Sequence, residues 1–229
     1  MNTLSNVKED KIEYYNERKS HSISAYISIL KYNFKIILNL NFLAAIGFII
    51  LIPIIASLKL LDYRTVAKIG ELYISIIGII LIPYLANIEN KDNIKEVIYI
   101  RKKPYVKTLL ERIIIMMILI FLMILGLMVL AKIQGSSFNL WEITFGTWIS
   151  AAFLGMLGFT IVNLIDNISS AYLVCFGYYF MEYVTKGRYT KELYLFSLIK
   201  GSFATGKYKL LLIILALIMF NLFIVKKKS

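Results

Sequence analysis

Residues 113–131 form a run of nineteen residues without a single charged side chain. A helix of about 20 apolar residues crosses the roughly 30 Å hydrocarbon core of a bilayer. The composition agrees, since 59% of the chain is hydrophobic and only 17% is charged, whereas soluble domains carry about 25% charged residues. The run therefore predicts a transmembrane helix and an integral membrane protein.

Further apolar stretches, separated by charged loops, extend this prediction to the whole chain. They predict an all-α integral membrane protein with about six transmembrane helices, in which residues 21–229 form a single domain after a flexible cytosolic tail at 1–20. The six predicted spans are 36–58, 72–88, 113–131, 143–165, 169–184 and 210–225.

Ahead of the first predicted span, apolar residues recur at helical spacing. The pattern is typical of an amphipathic helix that lies in the membrane surface. The alternative is an early start of the first span, which would carry Lys31 and Lys35 into the bilayer at about 2.5–3.5 kcal/mol each at mid-membrane. The apolar stripe consists of Ile23, Tyr26, Ile27, Leu30 and Phe34.

The distribution of positive charge predicts the orientation. Six spans place both termini on one side, and with both inside, sixteen Lys and Arg residues face the cytoplasm and ten face outward. This bias favours a multi-pass protein of the cell membrane with cytoplasmic termini. The loop 185–209 opposes the bias, because its six positive charges would lie outside. The Lys and Arg residues that give the chain its net charge of +12 lie beside the apolar runs. We therefore expect them to anchor the chain in a membrane, and we expect no nucleic-acid partner.

Few residues offer catalytic or metal-binding chemistry. His21 is the only histidine and lies in the polar tail, and Cys175 is the only cysteine. Of the fourteen acidic residues, only Glu182 is expected a little inside a span, which argues against a proton-coupled pump. The sequence contains no Walker phosphate-binding motif. We expect no enzyme, no metal site and no cofactor of its own, so energy for transport would come from another subunit.

Two spans carry features typical of helix contacts. The pair Ala151 and Gly155 forms a small-residue surface on the fourth span, which favours close helix packing. The fifth span is crowded with aromatic residues, which indicates a face toward a partner subunit or an apolar pathway; lipid-facing rings at an interface are the alternative. The residues assigned to this face are Tyr172, Phe176, Tyr179 and Tyr183.

The loop between the second and third spans, ENKDNIKEVIYIRKKPYVKTLLER at 89–112, contains a second helical pattern. Its apolar residues recur at helical spacing before Pro104, which suits the first turn of the next helix. The loop is therefore predicted to hold a short amphipathic helix in the cytosol. The alternative is a solvated loop whose basic cluster at 101–103 only fixes topology.

In layout and in this loop the chain resembles the permease subunits of the ABC-2 family of ABC transporters. Those permeases have a cytosolic N-terminus, a surface helix, six spans and a coupling helix between the second and third. Their loop places an acid, a basic turn and a proline where this chain has Glu96, Arg101 and Pro104. This chain departs from the pattern in lacking the glycine that often follows the acid.

The resemblance implies a transport subunit that exports an amphipathic, lipid-like or antimicrobial compound. A separate cytosolic ABC ATPase, which binds the ATP, would grip the coupling helix, and a second permease, identical or different, would complete the pathway. The implied coupling residues are Ile94, Glu96, Val97, Ile98, Arg101 and Pro104. The resemblance also implies that LYLFSLI at 193–199 dips back toward the membrane on the outer side. The alternative is the substrate-capture subunit of an energy-coupling-factor vitamin importer, which would bind a vitamin by itself.

Overall fold

The computed structural model describes residues 34, 37–91, 105–201, 203 and 205–228. The chain divides into two compact units, Met1–Asn39 and Leu40–Ser229. The predicted tail at 1–20, the surface-helix stripe before Phe34 and the predicted coupling helix lie outside the described residues.

The second unit is built from α-helices that alternate in direction. Within the described ranges, no β-structure occurs beyond one isolated bridge between Asp62 and Ser137. The helices are α1 (Leu40–Ile55), α2 (Tyr63–Lys68), a π-helix (Ile69–Ile74), α3 (Ile76–Lys91), α4 (Tyr105–Ile133), α5 (Leu140–Ile165), α6 (Ile168–Thr185) and α7 (Thr205–Lys228). Two short 3-10 helices, Lys191–Leu193 and Ser197–Lys200, lie between α6 and α7.

Four helical segments of the described chain are long and apolar enough to cross a membrane. They are Tyr63–Asn87, Val106–Ile133, Leu140–Ile165 and Thr205–Lys227. Helix α1 is apolar but has only 16 residues. Helix α6 has 18 residues, several of them Ser, Tyr or Glu, which lower its apolarity. The predicted spans 36–58 and 169–184 correspond to α1 and α6. These two helices are therefore not among the four segments that are long and apolar enough to cross a membrane.

The helix that contains the predicted span 72–88 starts earlier, at Tyr63, and continues through the π-helix into α3. Arg64 and Lys68 lie exposed on its first turns. Such long side chains keep their charge in water while the backbone continues into the apolar layer. Glu71 consequently lies within a helix that is long and apolar enough to cross a membrane, and its side chain is buried.

Helix α5 is the centre of the bundle. It packs against the π-helix, α3, α4, α6 and α7. The most apolar stretch of α5 is 72% buried, whereas the most apolar stretch of α7 is 22% buried. The helix begins at Asn139, whose side chain accepts a hydrogen bond from the Glu142 N–H, and ends at Asp166, which adopts a left-handed conformation with φ 56°.

Small residues bring α5 and α3 into backbone contact. A Cβ atom added to Gly78 would overlap the Ala151 carbonyl group, and one added to Gly155 would overlap Ile82 and the Gly78 oxygen. Backbones approach this closely only where side chains are absent. The predicted small-residue surface at Ala151 and Gly155 is therefore a helix contact.

Polar side chains join α5 to α7 further along the bundle. The Asn163 side-chain amide donates to Asn221 Oδ1 at 2.9 Å, and Asn221 Nδ2 lies 2.8 Å from Thr160 Oγ1. Such interhelical hydrogen bonds contribute roughly 0.6 kcal/mol each. These three residues therefore hold α5 and α7 together.

Three connecting segments meet at one end of the bundle, which we call the cap end. The Leu60 N–H donates to the Gln134 carbonyl at 3.4 Å, and the Ser137 N–H donates to the Leu61 carbonyl at 2.9 Å. Residues 186–201, the cap segment, lie at the same end, where Leu198 reaches the α5 glycine Gly146. The segment 92–104 connects helices whose adjoining ends lie at the opposite end.

Candidate functional site

Two opposite charges meet inside the cap end of the bundle. Glu71 lies on the π-helix and Lys207 lies in the first turn of α7, and both side chains are fully buried. They form a direct ion pair. The π-helix is a rare local structure that often occurs at functional sites, and here it holds the acidic partner.

The Lys207 ammonium group has three N–H donors, and each has an acceptor. One donates to Glu71 Oε1, one to Ser150 Oγ at 2.6 Å and one to the Leu195 carbonyl at 2.7 Å. Burial of an unpaired charge costs several kcal/mol, and only complete hydrogen bonding offsets that cost. The lysine therefore connects the π-helix, α5, α7 and the cap segment through one atom.

Three carboxylates from different parts of the bundle bind backbone N–H groups at or beside the cap segment. Glu182 Oε2 accepts from Leu195 N at 3.3 Å, and Glu71 Oε2 accepts from Ile199 N at 3.3 Å. Glu142 Oε1 accepts from Phe203 N at 2.6 Å. Hydrogen bonds to charged acceptors are about twice as strong as neutral ones, so the carboxylates fix the path of this segment.

Two of these acids also bind side-chain hydroxyl groups. The Thr190 hydroxyl donates to Glu182 Oε2 at 3.1 Å, and the Tyr63 hydroxyl donates to Glu142 Oε1 at 2.9 Å. The first bond joins α6 to the cap segment, and the second joins α2 to α5. Each carboxylate therefore links the cap end to at least one rigid helix.

The centre of the cap segment fills the end of the bundle with apolar side chains. Leu195, Phe196 and Leu198 are fully buried, and the Phe196 ring packs edge-on against Tyr179 at 5.2 Å between centroids. Tyr194 is buried beside them, and this burial, reinforced by the nearby charges of Glu71 and Glu182, raises the pKa of its hydroxyl to about 12. The segment thus closes the cap end as a packed plug.

Three buried hydroxyl groups of α5 and the cap segment have no hydrogen-bond partner among the described residues. They belong to Thr144, Thr147 and Ser197. Thr147 lies one helical turn before Ser150, which binds Lys207, and Ser197 lies two residues before Ile199, which binds Glu71. The surroundings of the ion pair therefore contain hydroxyl groups that could bind a further polar group.

The four residues of the predicted aromatic face on α6 differ in burial. Tyr179 points inward, where its hydroxyl donates to the Leu72 carbonyl at 2.5 Å, while Tyr183 is 53% exposed. Tyr172 and Phe176 are partly buried. Tyr179 thus belongs to the packing around the cap segment, and the other three are accessible to different degrees.

The predicted coupling residues Ile94, Glu96, Val97, Ile98, Arg101 and Pro104 lie outside the described residues. In the described part of the chain, no group of three His, Cys, Asp or Glu side chains could hold a metal ion. Cys175 is buried, and its thiol donates to the Leu154 carbonyl at 3.3 Å.

Sequence reasoning missed the ion pair, although a signal for it was present. Glu71 directly precedes the predicted span 72–88, and Lys207 lies three residues before the predicted span 210–225. In an alternating bundle, the starts of the second and sixth spans lie on the same side. Opposite charges at these two positions are therefore candidates for a pair.

The chain was compared with protein-family models, curated proteins and solved structures, and none of the three comparisons gave a match.

Proposed function

We propose that this chain is the membrane-spanning permease subunit of an ABC transporter of the ABC-2 type. A separate cytosolic ATPase drives it, and it exports an amphipathic or lipid-like compound. The observation that carries this proposal is the cap segment, which folds back between the last two long helices and buries Leu195, Phe196 and Leu198. The resemblance implied such a return of the chain at 193–199.

The order of the helices also supports the proposal. Counted as crossings, α1, the helix starting at Tyr63, α4, α5, α6 and α7 give six spans. At 1.5 Å per residue, α6 with its 18 residues is about 27 Å long, close to a hydrocarbon layer of about 30 Å. Six spans leave 92–104, with the coupling residues, on the cytoplasmic side together with both termini, and the cap segment on the outer side.

The ion pair provides a physical route from helix movement to the outer end. Lys207 of α7 binds groups on the π-helix, on α5 and on the cap segment at once. A shift of α7 relative to the π-helix would break these bonds together and release the plug. In this proposal the ATPase supplies the force at the opposite end, because the permease carries no Walker motif.

The experiment is purification of the tagged full chain from its native cells in mild detergent. We expect a Walker-motif ATPase to co-purify, identified by mass spectrometry, and the eluate to hydrolyse ATP. Glu96→Ala should reduce both the bound ATPase and the hydrolysis. Glu89→Ala, an acid at the start of the same loop, is the matched control and should retain both.

Recovery of the intact chain without any ATPase would refute the proposal. Tight binding of a vitamin by the isolated chain would favour the substrate-capture alternative instead.

A further inference from the structure

An apolar groove of about 430 Å³ runs between α4, α5 and α7. Its floor is formed by Ile113, Met117 and Ile214, which are buried, and its walls by Ile114, Ile118 and Leu215, which are about half exposed. All three helices contain segments that are long and apolar enough to cross a membrane. The lining residues lie near the middle of the segments in α4 and α7 and in the first third of the segment in α5.

The groove presents no polar atom to an occupant. Trp148 contributes the one hydrogen-bonding side chain among its lining residues, and the indole N–H already donates to the Met117 carbonyl at 3.0 Å. At mid-membrane depth the surrounding medium is hydrocarbon. The chemistry of the lining therefore fits an alkyl chain and rejects a polar ligand, whose groups would find no partner.

Basic residues lie where the headgroup of such a lipid would be. Lys107 is seven residues before Ile114 on α4, which places both on the same side of the helix. Lys226 is eleven residues after Leu215 on α7, again on the same side. Both lysines are exposed, and both lie within two residues of the end of their spanning segment.

One acid lies on the same surface. Glu111 is one turn from Lys107 toward the groove and is partly buried, so it offsets one positive charge. Arg112 is fully buried and does not belong to the surface. Asp166 is a second acid, exposed at the end of α5. With Lys107, Lys226 and the exposed Lys227 against Glu111 and Asp166, the described side chains at this end of the bundle keep an excess of positive charge, as an anionic headgroup requires.

We propose that this groove is a binding site for one anionic phospholipid. Its acyl chain lies between α4, α5 and α7, and its phosphate lies beside Lys107 and Lys226. The site is separate from the cap end and does not depend on the transport function.

The test uses the full chain in phosphatidylcholine nanodiscs that contain a small fraction of phosphatidylglycerol with a photoactivatable group in its acyl chain. After illumination, mass spectrometry locates the cross-links. We expect them to concentrate on 113–121 and 211–218, and excess unlabelled phosphatidylglycerol to compete several-fold better than excess phosphatidylcholine.

Two sets of variants make the assignment specific. Leu215→Trp fills the groove and should lower labelling there several-fold, while Leu212→Trp, on the same helix outside the lining, should not. Lys107→Gln with Lys226→Gln should remove the preference for phosphatidylglycerol, and Lys227→Gln should keep it. Because these positions are exposed, the substitutions leave the bundle core intact.

The opposite results overturn the proposal. Labelling that spreads equally over the face of Leu212, or that ignores Leu215→Trp, means that the groove holds only bulk lipid. Equal competition by phosphatidylcholine overturns the headgroup assignment.

Discussion

Lys207 is the residue on which the cap end depends most. Its charge is fully buried, and its three donors bind three acceptors on different parts of the bundle. Such a group is poor evidence for high stability, because desolvation opposes the gain from pairing. Lys207 instead specifies how these elements are arranged, because its three hydrogen bonds can form together only in one arrangement of the π-helix, α5, α7 and the cap segment.

Removing one partner of the ion pair between Glu71 and Lys207 should destabilise the fold strongly, whereas removing both charges should destabilise it much less. We expect Lys207→Met to lower the free energy of unfolding by about 3–5 kcal/mol, because Glu71 is left buried and unpaired. Glu71→Gln combined with Lys207→Met should recover more than half of that loss, since the glutamine oxygen can still accept from Ile199 N. Thermal unfolding in detergent measures both.

The matched control is the exposed ion pair between Lys209 and Glu192. Lys209→Met should change the stability by less than about 1 kcal/mol, because solvent screens exposed pairs. Equal effects of Lys207→Met and Lys209→Met would contradict the assigned role of the buried pair.

The raised pKa of Tyr194 predicts that the protein loses stability at high pH. Burial and the two nearby carboxylates raise its pKa to about 12, so the folded chain keeps this proton while the unfolded chain loses it near pH 10. The stability it contributes is complete below about pH 10 and is lost as the pH rises toward 12. Tyr194→Phe should have a smaller decrease in melting temperature over this range than the wild type.

At the scale of elements, the contact between α3 and α5 determines the packing of the bundle. Gly78 and Gly155 bring the two backbones together, and α5 in turn contacts α4, α6 and α7. A side chain at this contact would move α3 outward and separate the π-helix from α5. The position of Glu71 therefore depends on small residues two turns away.

Gly78→Ala should destabilise the bundle by about 1–3 kcal/mol, because the added Cβ overlaps the Ala151 carbonyl. Gly126→Ala on α4 is the control, since its Cβ would meet no atom within 4 Å. We expect that substitution to be neutral or to stabilise by up to about 1 kcal/mol through helix propensity. Similar melting temperatures for the two variants would exclude the close contact.

At the level of the whole molecule, the alternation of helices gives the bundle two ends. The cap segment closes one end, and α3 ends and α4 begins at the other, where the proposed function requires the coupling residues to be. The exposed positive charges in the cap segment, among them Lys186, Arg188 and Lys191, oppose the orientation that the count of positive residues favours. Topology therefore needs direct measurement.

Cysteine labelling from each side of the membrane gives that measurement. In a Cys175→Ala background, we expect Lys102→Cys and Lys191→Cys to react with a membrane-impermeant maleimide from opposite sides. The wild-type chain should stay unlabelled, because Cys175 is buried. Reaction of both positions from the same side would exclude the proposed crossing pattern.

The helical class, the centres of the helices and the small-residue contact on α5 could be predicted from the sequence alone. These follow from local properties, namely apolar runs of spanning length and the spacing of glycine and alanine. Helix starts were harder to predict, because Arg64, Lys68 and Lys207 suggested loops although their neighbours are helical.

The ion pair between Glu71 and Lys207 and the hydrogen bonds from three carboxylates to the cap segment and its flank depend on how the helices pack. These contacts join residues as far as 136 positions apart, and each depends on which helices are neighbours. In the sequence, a charged residue near a span end has several possible partners. Its partner is fixed when the bundle packs and solvent is excluded from both groups.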